Sequence, residues 1–250
     1  MSESCALIVG SGFERLGLEV LTRSPTKTPY GEPSSPVLTV RIGAARVACI
    51  ARHGEQHTLA PHEVNYRANL WALKQRGVRA CIGINTVGAI AAGFLPGEIS
   101  VPEQLIDYTW GRAGTFGGAG TSVVHVDFTA PFSPVLRGRI VAAVTDCGYS
   151  LHAGTYGVTQ GPRLETAAEI DRLERDGCSM VGMTAMPEAA LARELGMDYA
   201  ICAVAVNYAA GRAPGAGGID AQIQRFMAAG LERLATVLRR LFDGSGPWAL

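Results

Sequence analysis

The sequence predicts an α/β fold, with a mixed central sheet flanked by helices in a single domain over residues 1–250. Three observations carry this expectation. Short apolar runs end in glycine or small polar residues, as buried strands of α/β sheets do. Segments of helical period alternate with such runs through the second half of the chain, a pattern that builds a parallel or mixed sheet covered by helices. Finally, 48% of the residues are hydrophobic and 18% charged, which suits one well-buried core at a length α/β domains commonly reach.

The first strand is Ala6-Leu-Ile-Val, closed by Gly10-Ser11-Gly12. Further apolar runs place strands at 37–40, 46–51, 80–84, 98–101, 156–159, 180–183 and 199–206. Pro61 opens a helix to residue 76, and Gly77 stops it. Proline is tolerated in the first helical turn, and glycine is favoured just past the last. A second helix covers 165–175 before Gly177, a third runs from Pro187 to 195 before Gly196, and a long one spans 220–242. Gly/Pro/Ser-rich pieces at 28–36, 111–121 and 211–218 read as loops rather than domain linkers.

Composition narrows the partners. The 22 Lys and Arg residues balance 22 Asp and Glu, leaving no net positive field for a nucleic-acid backbone or an anionic membrane. Cys5, Cys49, Cys81, Cys147, Cys178 and Cys202 form no CxxC pair and sit mostly in apolar surroundings. They read as reduced core residues of a cytoplasmic protein, not as a metal site. The amino terminus lacks the basic start and long apolar region of a signal peptide. The most apolar stretch, 81–95, is interrupted by Asn85, Thr86 and glycines and is shorter than the ~20 residues of a membrane span.

Several strand exits carry polar groups. Gly10-Ser11-Gly12 offers backbone N–H groups and a hydroxyl to an anion. A dinucleotide fingerprint would need a third glycine where Arg15 stands, which disfavours a nicotinamide-dependent oxidoreductase. Arg52-His53-Gly54 puts a guanidinium at a strand end, and Asn85-Thr86-Val87-Gly88 and Met183-Thr184 add small polar groups after two others. Each alone reads equally well as an ordinary polar exit. Together, Ser11, Arg52, Thr86 and Thr184 are better explained by one shared oxyanion at the strand ends, where ligands of α/β sheets collect. Phosphate fits hydroxyls plus one arginine.

The stretches Arg52-His-Gly-Glu-Gln-His-Thr, Val64-Asn-Tyr-Arg-Ala-Asn-Leu-Trp-Ala-Leu-Lys, Thr159-Gln-Gly-Pro-Arg-Leu-Glu-Thr-Ala-Ala-Glu and Gly182-Met-Thr-Ala-Met-Pro-Glu resemble the trimeric purine nucleoside and methylthioadenosine phosphorylases. The likeness runs from about Leu7 to Leu241 and looks closest to the bacterial methylthioinosine phosphorylases. It implies the nucleoside phosphorylase fold, a homotrimer with active sites at subunit boundaries, and phosphate as co-substrate with no cofactor or metal. Phosphate binding carries over to Ser11, Arg52, His53, Asn85, Thr86 and Thr184. Met183 would pack on the ribose, and His125 would reach the sugar's 5′ end in a neighbouring subunit. Ile219 and Ile223 match positions that line the 5′ group in relatives accepting a methylthio substituent.

Two positions bear on the base. The resemblance assigns Leu164 to packing on its face and Glu165 to reading it, where the adenine-preferring enzymes place serine. Asn207 and Ala209 stand where those enzymes carry two aspartates. The N1–H of hypoxanthine or guanine is a donor that a glutamate accepts, whereas adenine presents a bare N1 acceptor. Asn207 can donate to O6 while its carbonyl accepts a proton developing on N7. The expected reaction is therefore phosphorolysis of S-methyl-5′-thioinosine to hypoxanthine and 5-methylthioribose 1-phosphate. Inosine/guanosine phosphorylase and methylthioadenosine phosphorylase are the alternatives. Glu165 could instead merely cap its helix.

Overall fold

The computed structural model describes residues 4–118, 122–214 and 218–243, and within them an eleven-stranded mixed sheet organises the chain. Its centre is β1 (Cys5–Val9), every residue of which is buried. β1 lies between β4 (Ala45–Ala51) and β5 (Ala80–Ala89), parallel to both. Outside β4 come β3 (Val37–Ile42) and β2 (Glu19–Ser24) as an antiparallel meander. On the far edge of β5 runs β11 (Asp198–Tyr208), parallel, followed by the short β6 (Ile99–Ser100) and β8 (Leu151–His152).

A third branch makes the sheet divide. β10 (Cys178–Gly182), with β9 (Thr155–Val158) and β7 (Gln104–Asp107) beyond it, meets β5 antiparallel at Gly88 and Ala89. β1 occupies that same edge of β5 only as far as Ile84. Asn85, Thr86 and Val87 therefore fall in the gap between two ladders, where a crevice opens.

Strand alternation builds a core on each face. Leu7 and Val9 join Leu136 and Ile140 of α2 (Pro134–Asp146) and Leu231 and Leu234 of α5 (Ile219–Leu241). Ala6 and Ile8 join Leu70 of α1 (Tyr66–Gln75) and Leu191 of α4 (Glu188–Glu194) on the other face. α3 (Ala167–Arg175) covers the third branch through Ile170 and Leu173. Each large aliphatic side chain fully buried this way contributes about 1.5–3 kcal/mol.

Several boundaries differ from the sequence reading for local reasons. α1 begins at Tyr66 because the Asn65 side chain caps it, accepting from Ala68 N at 3.1 Å, and Pro61 lies in the preceding turn. α3 begins at Ala167, capped by Thr166 with Glu169 in a reciprocal box, so Glu165 lies outside the helix. β5 continues to Ala89 and β11 to Tyr208, which puts Asn85, Thr86 and Asn207 inside strands rather than in exit loops. The long mutual pairing of these two strands carries them past the end of β1. β2, β7, β8 and α2 go beyond the elements anticipated, and residues 119–121 and 215–217 of the expected loops lie outside the described residues. The six cysteines are free thiols, with Cys147 half-buried and the others buried. Among the described residues no helix is long and apolar enough to cross a membrane.

Candidate active site

At the division of the sheet lies a cavity of about 470 Å³, within the size range of small-molecule sites. Ser11, Arg52, His53, Thr86, Leu164, Glu165, Met183, Thr184, Asn207 and Ile223 all border it. Asn85 stands behind this lining, while Ile219, the first residue of α5, and His125, exposed between β7 and α2, lie off this cavity.

Arg52 follows β4 and is fully buried. Its Nε–H and one Nη2–H donate to the two carboxylate oxygens of Glu188, each at 2.8 Å. Nη2 also approaches Ile8 O at 3.0 Å and Asn85 Oδ1 at 3.2 Å, and Nη1 donates to Ile84 O at 3.0 Å. That leaves the second Nη1–H as the donor Arg52 can offer to the cavity. A Cβ on Gly10 would sit 2.7 Å from Nη1, so the strand must end in glycine to admit the guanidinium. Burial alone would lower the Arg52 pKa, but the Glu188 carboxylate outweighs it and holds the group above its ordinary value. Glu188 also accepts from the Tyr199 hydroxyl at 2.7 Å.

Asn85 passes this arrangement on. With its Oδ1 facing Arg52, its Nδ2 donates to Thr184 Oγ1 at 2.9 Å. The Thr184 hydroxyl, having accepted, is free to donate its own proton into the cavity. His53 Nδ1 lies 2.8 Å from Leu59 O. Burial first, and the neighbouring Arg52 charge second, hold His53 down to about 4, so its ring is neutral at ordinary pH.

Glu165, also on the cavity lining, accepts at Oε1 from the Thr159 hydroxyl at 2.6 Å, which leaves its second oxygen available. The α3 cap belongs to Thr166 and Glu169, so helix capping does not account for Glu165. Asn207 is 7% exposed and follows a register shift between Ala205 and Asn207. Such a bulge re-aims a side chain, and here it brings the Asn207 Nδ2 within 2.7 Å of Tyr208 O. Leu164 is 42% exposed, an apolar surface at the cavity wall.

Three residues here had no role in the sequence reading, although His57 and Glu188 stand in the stretches that carry the resemblance. Glu188 begins α4 in an apolar context, a position that looks like an ordinary helix start. His57 borders the cavity with its ring centroid 4.7 Å from that of His53, on a backbone at φ 54. Arg112 donates to Met183 O at 2.7 Å, Met186 O at 2.6 Å and Gln160 O at 2.9 Å, tying together the loops after β9 and β10. A lone arginine in a glycine-rich loop gives no sequence signal for such a clamp.

A phosphorylase superfamily model matches residues 4–243. The chain belongs to this superfamily. Among its relatives is a Xanthomonas campestris protein named "Probable S-methyl-5'-thioinosine phosphorylase", 52% identical over 84% of this chain and 85% of that one. A "6-oxopurine nucleoside phosphorylase" of Pyrococcus furiosus is 44% identical over 82% of this chain and 80% of its own. The crystal structure of a methylthioadenosine phosphorylase from an antarctic soil metagenomic library superposes with a TM-score of 0.88 at 32% identity, covering 97% of this chain and 86% of that one. The phosphorylase fold and the pentosyl-transfer class of this chain follow from these matches.

Proposed function

We propose that this phosphorylase cleaves S-methyl-5′-thioinosine with inorganic phosphate, releasing hypoxanthine and 5-methylthioribose 1-phosphate. The carrying observation is that Glu165 and Asn207 border the same cavity as Ser11, Thr86 and Thr184. Glycosidic cleavage develops positive charge on the ribose and negative charge on the leaving purine, so a catalyst must meet both. Phosphate held by Ser11, Arg52, His53, Thr86 and Thr184 supplies the anion and nucleophile beneath C1′. Asn207 donates to O6 and accepts the proton developing on N7, while Glu165 accepts N1–H. The chemistry is complete with phosphate as co-substrate and calls on no further cofactor.

Support for the methylthio group comes from the apolar wall of Val206, Ile223 and Met227 at the same cavity. His125 is exposed beside Val123 and Val124, which are 77% and 55% exposed. Exposed apolar residues of this kind suit an interface, so we place His125 at the 5′ end of a neighbour's sugar in a cytoplasmic homotrimer of single-domain subunits. The relative named a 6-oxopurine nucleoside phosphorylase favours inosine or guanosine as the second reading. Phosphate-dependent release of base from methylthioinosine, inosine and methylthioadenosine, measured in parallel, decides between them. Faster turnover of methylthioadenosine would overturn the base assignment, and faster turnover of inosine the 5′ assignment.

A further inference from the structure

His53 differs from the other groups around the proposed phosphate. A carbonyl oxygen can only accept, so the 2.8 Å contact to Leu59 O places the imidazole hydrogen on Nδ1. The Nε2 of the neutral ring is then a bare acceptor, without a hydrogen-bond partner among the described residues. The ring is 7% exposed and borders the cavity. Burial and the adjacent Arg52 keep a second proton off it.

The charge of Arg52 is not free to compensate. The Glu188 carboxylate, 1% exposed, accepts two of its N–H groups, and the guanidinium itself is 0% exposed. The subsite therefore combines the hydroxyls of Ser11, Thr86 and Thr184, which can donate or accept, and an Arg52 N–H with a group that can only accept, His53 Nε2. A tetrahedral dianion that carries a hydroxyl can fill all of these positions. One without a hydroxyl must turn a lone pair towards Nε2.

We infer that His53 is a specificity-determining residue, selecting anions that carry a proton, such as hydrogen phosphate or hydrogen arsenate, over fully deprotonated sulfate. The inference rests on the phosphate reading given under Proposed function. An acceptor left without a donor in a buried site weakens binding, and the effect is confined to anions that cannot donate.

The test uses the unaltered protein first, with the phosphate KM, the arsenate KM and the competitive inhibition constant of sulfate measured on one nucleoside. Arsenate is expected within about threefold of phosphate, and sulfate about tenfold or more weaker, a gap of ~1.4 kcal/mol per tenfold. In His53→Leu phosphate and arsenate should weaken while sulfate holds or tightens, and the phosphate-to-sulfate ratio should collapse to within about threefold. That ratio separates selection from a general structural effect, because a distorted loop would weaken both anions alike. Anion-induced shifts in melting temperature give the same ranking if the variant is too slow to assay. Sulfate binding as tightly as phosphate to the unaltered protein, or an unchanged ratio in His53→Leu, would overturn the inference alone. Absence of any phosphate-dependent base release would overturn the phosphate reading with it.

Discussion

Glu188 grips Arg52 through two hydrogen bonds of 2.8 Å, with both side chains at or below 1% exposure. Breaking a buried pair by removing one charge leaves the other uncompensated, at a cost of about 3–5 kcal/mol. Glu188→Gln should therefore lower the urea midpoint sharply. Because the freed guanidinium borders the cavity, added phosphate should raise the midpoint of the variant by more than it raises that of the unaltered protein. Equal increments would show that Arg52 does not face the anion.

Asn85 links Arg52 to Thr184, 3.2 Å from one and 2.9 Å from the other. Asn85→Leu keeps the volume and removes both polar ends, leaving the Thr184 hydroxyl free to turn away from the cavity. An unmade buried hydrogen bond costs about 1–3 kcal/mol, so the phosphate KM should rise roughly tenfold or more while the nucleoside KM moves by less than about threefold. Parallel saturation curves in the two substrates check this. A larger rise in the nucleoside KM would place Asn85 on the sugar side.

The polar strand ends were legible because each follows directly on an apolar run, as Ser11 does on β1 and Arg52 on β4. The meeting of Ser11 and Arg52 was legible as well, since parallel β1 and β4 end on one side, whereas Thr184 follows β10, which meets β5 antiparallel, and reaches the cavity only through the division of the sheet. What stayed hidden depends on distance in the chain. Glu188 lies 136 positions from Arg52, and nothing local marks it as the guanidinium's partner. β2 escaped notice because its residues are half-buried or exposed without a clean alternation. In α2, Gly138 and the β-branched Val135, Ile140, Val141 and Val144 blur the helical signal, although Ser133 and Pro134 form a legible start. The Asn207 bulge is likewise a property of sheet pairing: β5 and β11 slip register there.

On the proposed reading, Asn207 is the residue that selects the purine. Asn207→Asp removes the amide donor to O6 and supplies an acceptor suited to an amino group at C6. Turnover of methylthioinosine should fall by roughly tenfold to a hundredfold in kcat/KM, and the ratio of methylthioadenosine to methylthioinosine should rise by at least about tenfold. On the same reading Glu165 would still meet the bare N1 of adenine, so adding Glu165→Ser should raise the ratio further. A ratio unmoved by both changes would separate these residues from base recognition.

His53 makes stability depend on pH in a window that can be located. Its pKa is about 4 in the folded chain against 6.5 for an ordinary histidine, through burial first and Arg52 second. Between these values the unfolded chain binds a proton that the native chain does not, so stability rises with pH across the window. The contribution is fully present above about 6.5 and is lost as pH falls towards 4, amounting to roughly 3 kcal/mol at most. His152, also lowered by burial, acts in the same direction, so the informative quantity is a difference. Urea midpoints at pH 7.5, 6.5, 5.5 and 4.5 in phosphate-free buffer should fall less steeply for His53→Leu than for the unaltered protein. Parallel curves would show that His53 titrates in the folded chain as it does in the unfolded one, so that neither burial nor Arg52 perturbs it.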